Sequence, residues 1–208
     1  MAHNRIRRTT AAAVAAVALL AGVAACSSNS DEPDVTLTAT GNPAFDGPDG
    51  KTEAKTPDEQ ARSQAIAKVN EFYAALGSIE ADPTASVDAI SGVAGDPVLN
   101  DRVGDIMLRR SQGITSTGAI SVIKSSVTDL SAPVDDQGKP RAEAAWVHVQ
   151  ACTDISGWNA VFPDGSSAMK PDRGQFESTN ITVRNPAWPD SNGWRVTSQT
   201  VEKVQSCD

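Results

Sequence analysis

Hydrophobic patterning divides the chain into four regimes. Residues 11 to 25, AAAVAAVALLAGVAA, are apolar without a charge. Residues 27 to 56, SSNSDEPDVTLTATGNPAFDGPDGKTEAKT, carry few large apolar side chains. From Pro57 to about Gly113 the apolar residues recur three and four apart, and beyond that they alternate. The first spacing marks a helix with one buried face and the second a half-buried strand. Thr56-Pro57-Asp58-Glu59 supplies an N-cap hydroxyl, a proline at the first helical position and a glutamate three residues after the cap. Ala61, Ala65, Val69, Phe72, Tyr73 and Leu76 follow at helical spacing, which predicts a long helix from Pro57 to about Gly77. Asp82-Pro83 opens a short helix through Ile90, stopped by Gly92. Asp96-Pro97 opens a third, with Leu99, Val103, Ile106 and Met107 on one side and Gly113 just past its end.

Strands are predicted over residues 120–130, 141–154, 158–162, 174–185 and 193–204, separated by turns such as Asp135-Asp136-Gln137-Gly138 and Pro163-Asp164-Gly165. Helices followed by a run of antiparallel strands make an α+β domain. The expected architecture is three N-terminal helices packed on one face of a curved antiparallel sheet of four to five strands. Residues 57 to 208 number about 150, enough for one core and one domain.

The stretch before that domain carries an address. Arg5, Arg7 and Arg8 precede the apolar run, which ends at Cys26 and gives way at once to serines and carboxylates. A basic start and a 7–15-residue apolar stretch make an export signal, too short for a bilayer span of roughly 20 helical residues. Val23-Ala24-Ala25-Cys26 resembles the lipobox of bacterial lipoproteins. The resemblance implies cleavage of residues 1–25, a diacylglycerol on the Cys26 thiol and an acylated amino terminus. The competing reading is an ordinary cleaved signal. Arg7-Arg8 leaves a twin-arginine route open, although Thr9 and Thr10 stand where apolar residues usually follow. Two or more acyl chains anchor a protein stably where one does not, so the expected partner of Cys26 is the outer face of the cell membrane. Residues 26–56 then read as a flexible tether that spans on the order of 30 Å. Within it, Val35-Thr36-Leu37-Thr38-Ala39 alternates and is compatible with a short edge strand.

Removal of the signal takes three arginines and no acid, moving the formal charge from -8 to -11. Nucleic-acid binding needs clustered Lys and Arg, so that class is excluded. With three cysteines in the chain, one has no intramolecular disulfide partner. Cys26 is assigned to lipid, and Cys152 and Cys207, in an exported domain, to a disulfide that ties the last strand to the sheet.

The run Val149-Gln150-Ala151-Cys152-Thr153-Asp154-Ile155-Ser156-Gly157-Trp158, then Gly193-Trp194-Arg195-Val196 and the terminal Cys207, resembles small secreted actinobacterial lipoproteins with a nuclear transport factor 2-like domain. The likeness covers roughly residues 57 to 208. It implies a cone-shaped fold and an envelope location, and little about activity.

No catalytic constellation stands out. After the signal the chain keeps one histidine, His148, and has no G-x-S-x-G, P-loop or G-x-G-x-x-G pattern. Strand alternation puts His148 with Trp146 and Gln150, opposite the apolar Val147, Val149 and Ala151, and hence on the outer side of the sheet. Enzymes of the resembled fold place an acid or base inside the cone, for which Asp154, Glu177 and His148 are the nearest candidates. Asp154 reads more simply as a turn residue accepting backbone hydrogen bonds. Zinc needs three or four close ligands, and the acidic turns lack calcium-loop spacing, so neither a metal nor a cofactor is expected. Four tryptophans, at 146, 158, 188 and 194, are prominent in a domain poor in aromatics. They read first as core. Trp188, between Pro186 and Pro189, is expected to be exposed and is the preferred interaction residue, with Trp146 and His148.

The leading expectation is therefore a non-catalytic, membrane-anchored envelope lipoprotein that binds a small apolar ligand or an envelope partner. The alternatives are a cone-fold isomerase, dehydratase or hydrolase using His148 or a buried acid, and a docking domain without a pocket.

Overall fold

The computed structural model describes residues 54–208, which fall in the unit Lys51–Asp208. Cys26, the apolar run and the alternating segment 35–39 lie outside the described residues. Helix α1 spans Pro57–Ala81. Its capping box is complete: the Thr56 hydroxyl accepts from the Glu59 N–H at 3.2 Å, and Glu59 accepts from the Thr56 N–H at 2.8 Å. Ala61, Ala65, Val69, Phe72, Leu76 and Ile79 form its buried stripe. The helix continues one turn past Gly77, because Ile79 still adds to that stripe.

The second helical segment is a 3-10 turn, Val87–Gly92, capped by Ser86 and not by Asp82. Asp82 instead ends α1, and its carboxylate accepts from the Thr84 N–H at 2.8 Å. Helix α2 spans Val98–Ser111. Ile106 is buried, whereas Met107 is 52% exposed, so the apolar side of α2 is narrower than its sequence indicates. Arg110 of α2 donates to the carbonyls of Ile79 and Asp82, at 2.9 and 3.0 Å. It thereby supplies the cation that α1 lacks in its own last turn.

Six strands follow: β1 (Thr115–Thr117), β2 (Ser121–Ser131), β3 (Ala145–Asp154), β4 (Asn159–Val161), β5 (Phe176–Asn185) and β6 (Arg195–Val204). They form two sheets where the sequence predicts one. The main sheet has the order β2-β3-β5-β6, antiparallel throughout, and β1 pairs only with β4. The short β1, absent from the sequence reading, draws β4 away from the main sheet. The architecture is thus α+β, with two α-helices and a 3-10 turn before two antiparallel sheets.

Ala145, Val147, Val149 and Ala151 of β3 meet Val183 and Ile181 of β5 and the stripe of α1 in one core. The opposite face of β3 carries the exposed His148 and Gln150, as the alternation predicts.

Trp188 corrects an expectation. It is 1% exposed, not a surface residue. Its indole N–H donates to the Pro133 carbonyl at 3.2 Å, and its ring meets Trp194 edge-on with centroids 6.0 Å apart. Asn185, fully buried, holds the loop in: its amide donates to the Asp190 carbonyl at 2.7 Å, and its oxygen accepts from the Ala187 N–H at 2.9 Å. A proline-flanked loop reads as surface, but here it closes the end of the core.

Cys152 and Cys207 are joined by a disulfide, with Cα atoms 5.6 Å apart. Strand β5 separates β3 from β6, so the segment after β6 must cross the outer face of β5 to reach Cys152. The bridge straps the carboxyl end over the sheet.

Candidate functional site

The broad faces of α1 and the main sheet close on each other, but one end of the sandwich remains open. There a cleft of about 310 Å³ is lined by Tyr73, Gly77 and Glu80 of α1, Arg102 and Arg109 of α2, and Glu177 of β5, with Ile120, Trp158 and Val201. Several local features create it. Gly77 contributes no side chain to its wall. Gly118, at φ +74°, lets the β1–β2 connection approach the β3–β4 loop so closely that a Cβ there would lie 1.8 Å from the Gly157 carbonyl oxygen. Ile120 and Trp158, just beyond the two glycines that meet there, line the cleft.

The cleft wall is a polar network. Glu80 is paired with Arg109 and accepts from the Trp158 indole N–H at 3.0 Å. The Arg109 guanidinium carbon lies 5.8 Å from the Trp158 ring centroid, and that of Arg173 lies 6.0 Å away, within reach of cation–π attraction. Arg102 donates to the Gln199 side-chain oxygen at 2.8 Å. Tyr73 donates to the Thr179 hydroxyl at 3.5 Å, and burial pushes its phenol above the ordinary range. Phe72, Val149, Ile181 and their neighbours form the buried core between α1 and the main sheet.

Glu177 is the cleft's distinctive acid. Burial raises its pKa, and Arg102, Arg173 and Lys203 only partly oppose the shift. Because the folded carboxyl holds its proton above the ordinary 4.5, folding is penalised as pH rises through the interval between the unfolded and folded pKa values. Glu177→Gln is therefore expected to stabilise the domain at pH 7 but not at pH 4, read from denaturation midpoints at the two values. An equal effect at both pH values would disprove the burial penalty.

Of the candidate acids, bases and tryptophans singled out from sequence, Glu177 and Trp158 reach this cleft. His148 and Trp146 lie together on the outer face of the main sheet, ring centroids 4.7 Å apart. Asp154 accepts from the Ser156 N–H at 2.8 Å, and that turn holds its carboxyl below the usual range. A separate hollow of about 340 Å³ lies on the outer face by the disulfide, lined by Lys124, Ser126, Gln150, Ser178 and the carboxyl-terminal residues. It contains none of the buried acids or bases that mark a chemical site. Among the described residues no group of three His, Cys, Asp or Glu side chains is placed to hold a metal ion, and no helix is long and apolar enough to cross a membrane.

Sequence reasoning missed Tyr73, Glu80, Arg102 and Arg109. Tyr73 was readable as helix stripe, and the others as solvated charges on helices. Only the open end of the sandwich, a tertiary feature, distinguishes them.

No family model and no curated protein matches the chain. Among solved structures it is similar to the intermembrane space region of the chloroplast protein ARC6. That match has 14% identity and a TM-score of 0.45, covering 69% of this chain and 97% of that one. It is also similar to a de novo β-sheet design, at 12% identity and a TM-score of 0.28, covering 70% of this chain and 92% of the other. At these values neither likeness assigns a family or an activity.

Proposed function

We propose that the protein is an exported lipoprotein, held at the outer face of the cell membrane through Cys26, whose cone-like domain binds a small ligand without transforming it. The observation that carries the binding reading is the cleft between α1, α2 and the main sheet, whose volume of about 310 Å³ lies at the small end of ligand sites. Its wall mixes apolar surface from Leu76, Ile120 and Val201 with aimed polar groups, so the ligand is amphipathic and not simply apolar. The lipobox-like Val23-Ala24-Ala25-Cys26 supports the anchor. The likeness to nuclear transport factor 2-like lipoproteins is supported by a long N-terminal helix lying on an antiparallel sheet.

A second reading has one observation in its favour. A half-buried acid with a raised pKa beside a partly buried phenol is the type of group used in proton transfer. On that reading Glu177, not His148, is the acid–base residue of a cone-fold isomerase, dehydratase or hydrolase. The docking reading loses its main support, since Trp188 and Trp194 are buried and form no exposed patch.

The test is mass spectrometry of the protein extracted gently from its own membrane. The denatured mass is expected to show acyl chains on Cys26, and Cys26→Ser is expected to move the protein from the membrane fraction to the soluble one. The native spectrum is expected to carry a noncovalent adduct that disappears in Gly77→Leu, whose side chain narrows the cleft. An adduct recovered chemically altered favours the enzyme. A bare spectrum from the unmutated protein counts against binding.

A further inference from the structure

The polar groups of the cleft are unequal in charge and in hydrogen-bonding sense, and both inequalities point the same way. Glu80 is matched by Arg109. Within the cleft lining that leaves Glu177 as the one further acid, near three cations, Arg102, Arg173 and Lys203. No ion pair within 4.0 Å joins Glu177 to any of them among the described residues. Arg102 is itself poorly neutralised: its side chain is 31% exposed, it donates to the neutral Gln199, and its nearest carboxylate, the exposed Asp105, lies 4.0 Å away. A cluster with surplus positive charge is unexpected in a chain of net charge -8.

The second inequality concerns hydrogen bonds. Three buried side-chain polar atoms lack a partner among the described residues: Ser125 Oγ, Arg173 Nη1 and Gln199 Nε2. Two of these are N–H donors just behind the cleft wall: Arg173 neighbours Trp158, and Gln199 holds Arg102 and neighbours the Tyr73 phenol. Burial of an unsatisfied donor costs about 1–3 kcal/mol, and a ligand that brings acceptors offsets that cost. A shallow groove along α1 shares Tyr73, Gly77 and Ile120 with the cleft and adds the apolar Ala74, Ala119 and Val122 beside the polar Asn70 and Ser78.

We propose that the cleft selects a small organic anion, with a carboxylate-type group held beside Arg102 and Gln199 and a flat apolar body lying against Tyr73 and Ile120. This rests on the binding reading above and adds the ligand's charge to it. A guanidinium presents a planar fork of N–H donors that a planar carboxylate accepts, and the Gln199 amide bonded to Arg102 adds a further donor beside it.

The experiment uses residues 26–208 with Cys26→Ser, which keeps every residue after Cys26 and needs no detergent. Naphthalene-2-carboxylate and the neutral naphthalene-2-carboxamide are titrated against it by calorimetry and tryptophan fluorescence. The carboxylate is expected to bind at least tenfold more tightly than the amide. Arg102→Gln is expected to bring the two within about twofold, while Arg184→Gln, on the outer sheet face, leaves the ratio unchanged. Equal binding of both probes, abolished by Gly77→Leu, overturns the anion preference and leaves the cleft as a binding site. A carboxylate preference that survives Arg102→Gln overturns the role given to Arg102. No binding of either probe up to millimolar concentration overturns both readings.

Discussion

Trp194→Ala is expected to lower the domain's stability by about 3–5 kcal/mol, the range for removing a large aromatic side chain from a packed core. The residue is fully buried and sits where three parts of the fold meet. Its indole N–H donates to the Gln64 side chain of α1 at 2.8 Å, its ring meets Trp188 edge-on, and its backbone leads into β6. Truncation therefore opens a cavity, removes an aromatic contact and leaves the Gln64 oxygen without its donor. Since domains are stable by only about 5–15 kcal/mol, the variant is expected to be partly unfolded at 37 °C. Urea denaturation at 15 °C gives a measurable midpoint even so. Trp194→Phe keeps most of the ring and loses the N–H, so it is expected to cost less. A midpoint shift for Trp194→Ala no larger than that of an exposed substitution would contradict the packing described.

The second large effect is expected from the Cys152–Cys207 bridge. The bond separates residues 55 positions apart, and the chain-entropy account assigns such a loop about 4 kcal/mol, by restricting the unfolded chain. Replacing both cysteines with serine is expected to reduce stability by roughly this amount, read from urea midpoints against the oxidised parent. The carboxyl-terminal strap gives a second signal. Without the bond, amide hydrogen exchange is expected to rise first beyond Val204 and only later in β3, because β3 is held by β2 and β5 on its two sides. Simultaneous loss of protection along β3 would show that the bridge holds the sheet itself together.

Legibility followed the range of the interactions involved. The start of α1 was readable because Thr56 and Glu59 satisfy each other's backbone within four residues. The two faces of β3 were readable because Val147, Val149 and Ala151 alternate with His148 and Gln150. Trp188 was misread because the partners that bury it, Pro133 and Trp194, lie outside its local segment. The division into two sheets was hidden for a similar reason: a three-residue strand such as Thr115–Thr117 has no periodicity of its own and is defined by its pairing with β4. The cleft was the least legible feature. Glu80, Arg102 and Arg109 are spaced as ordinary helix-surface charges, and only the placement of Trp158 and Glu177 opposite them makes a site.

The irregular register of the main sheet bears on crowding. Proteins tethered to one surface meet each other at high local concentration, and an open sheet edge offers unpaired N–H and C=O groups to a neighbour. Here β2 is an edge strand whose pairing with β3 slips between Val122 and Lys124 and again between Val127 and Asp129. The other edge, β6, is covered at its start by residues 93–95, where the Gly95 N–H donates to the Val196 carbonyl and the Val196 N–H to the Val93 carbonyl, both at 2.9 Å. Farther along, β6 presents Glu202 and Lys203. One edge is kinked, and the other is partly occupied and then charged, so neither gives a straight template for a second copy. A chain held at a membrane as proposed can be packed densely there without its sheets joining into fibrils.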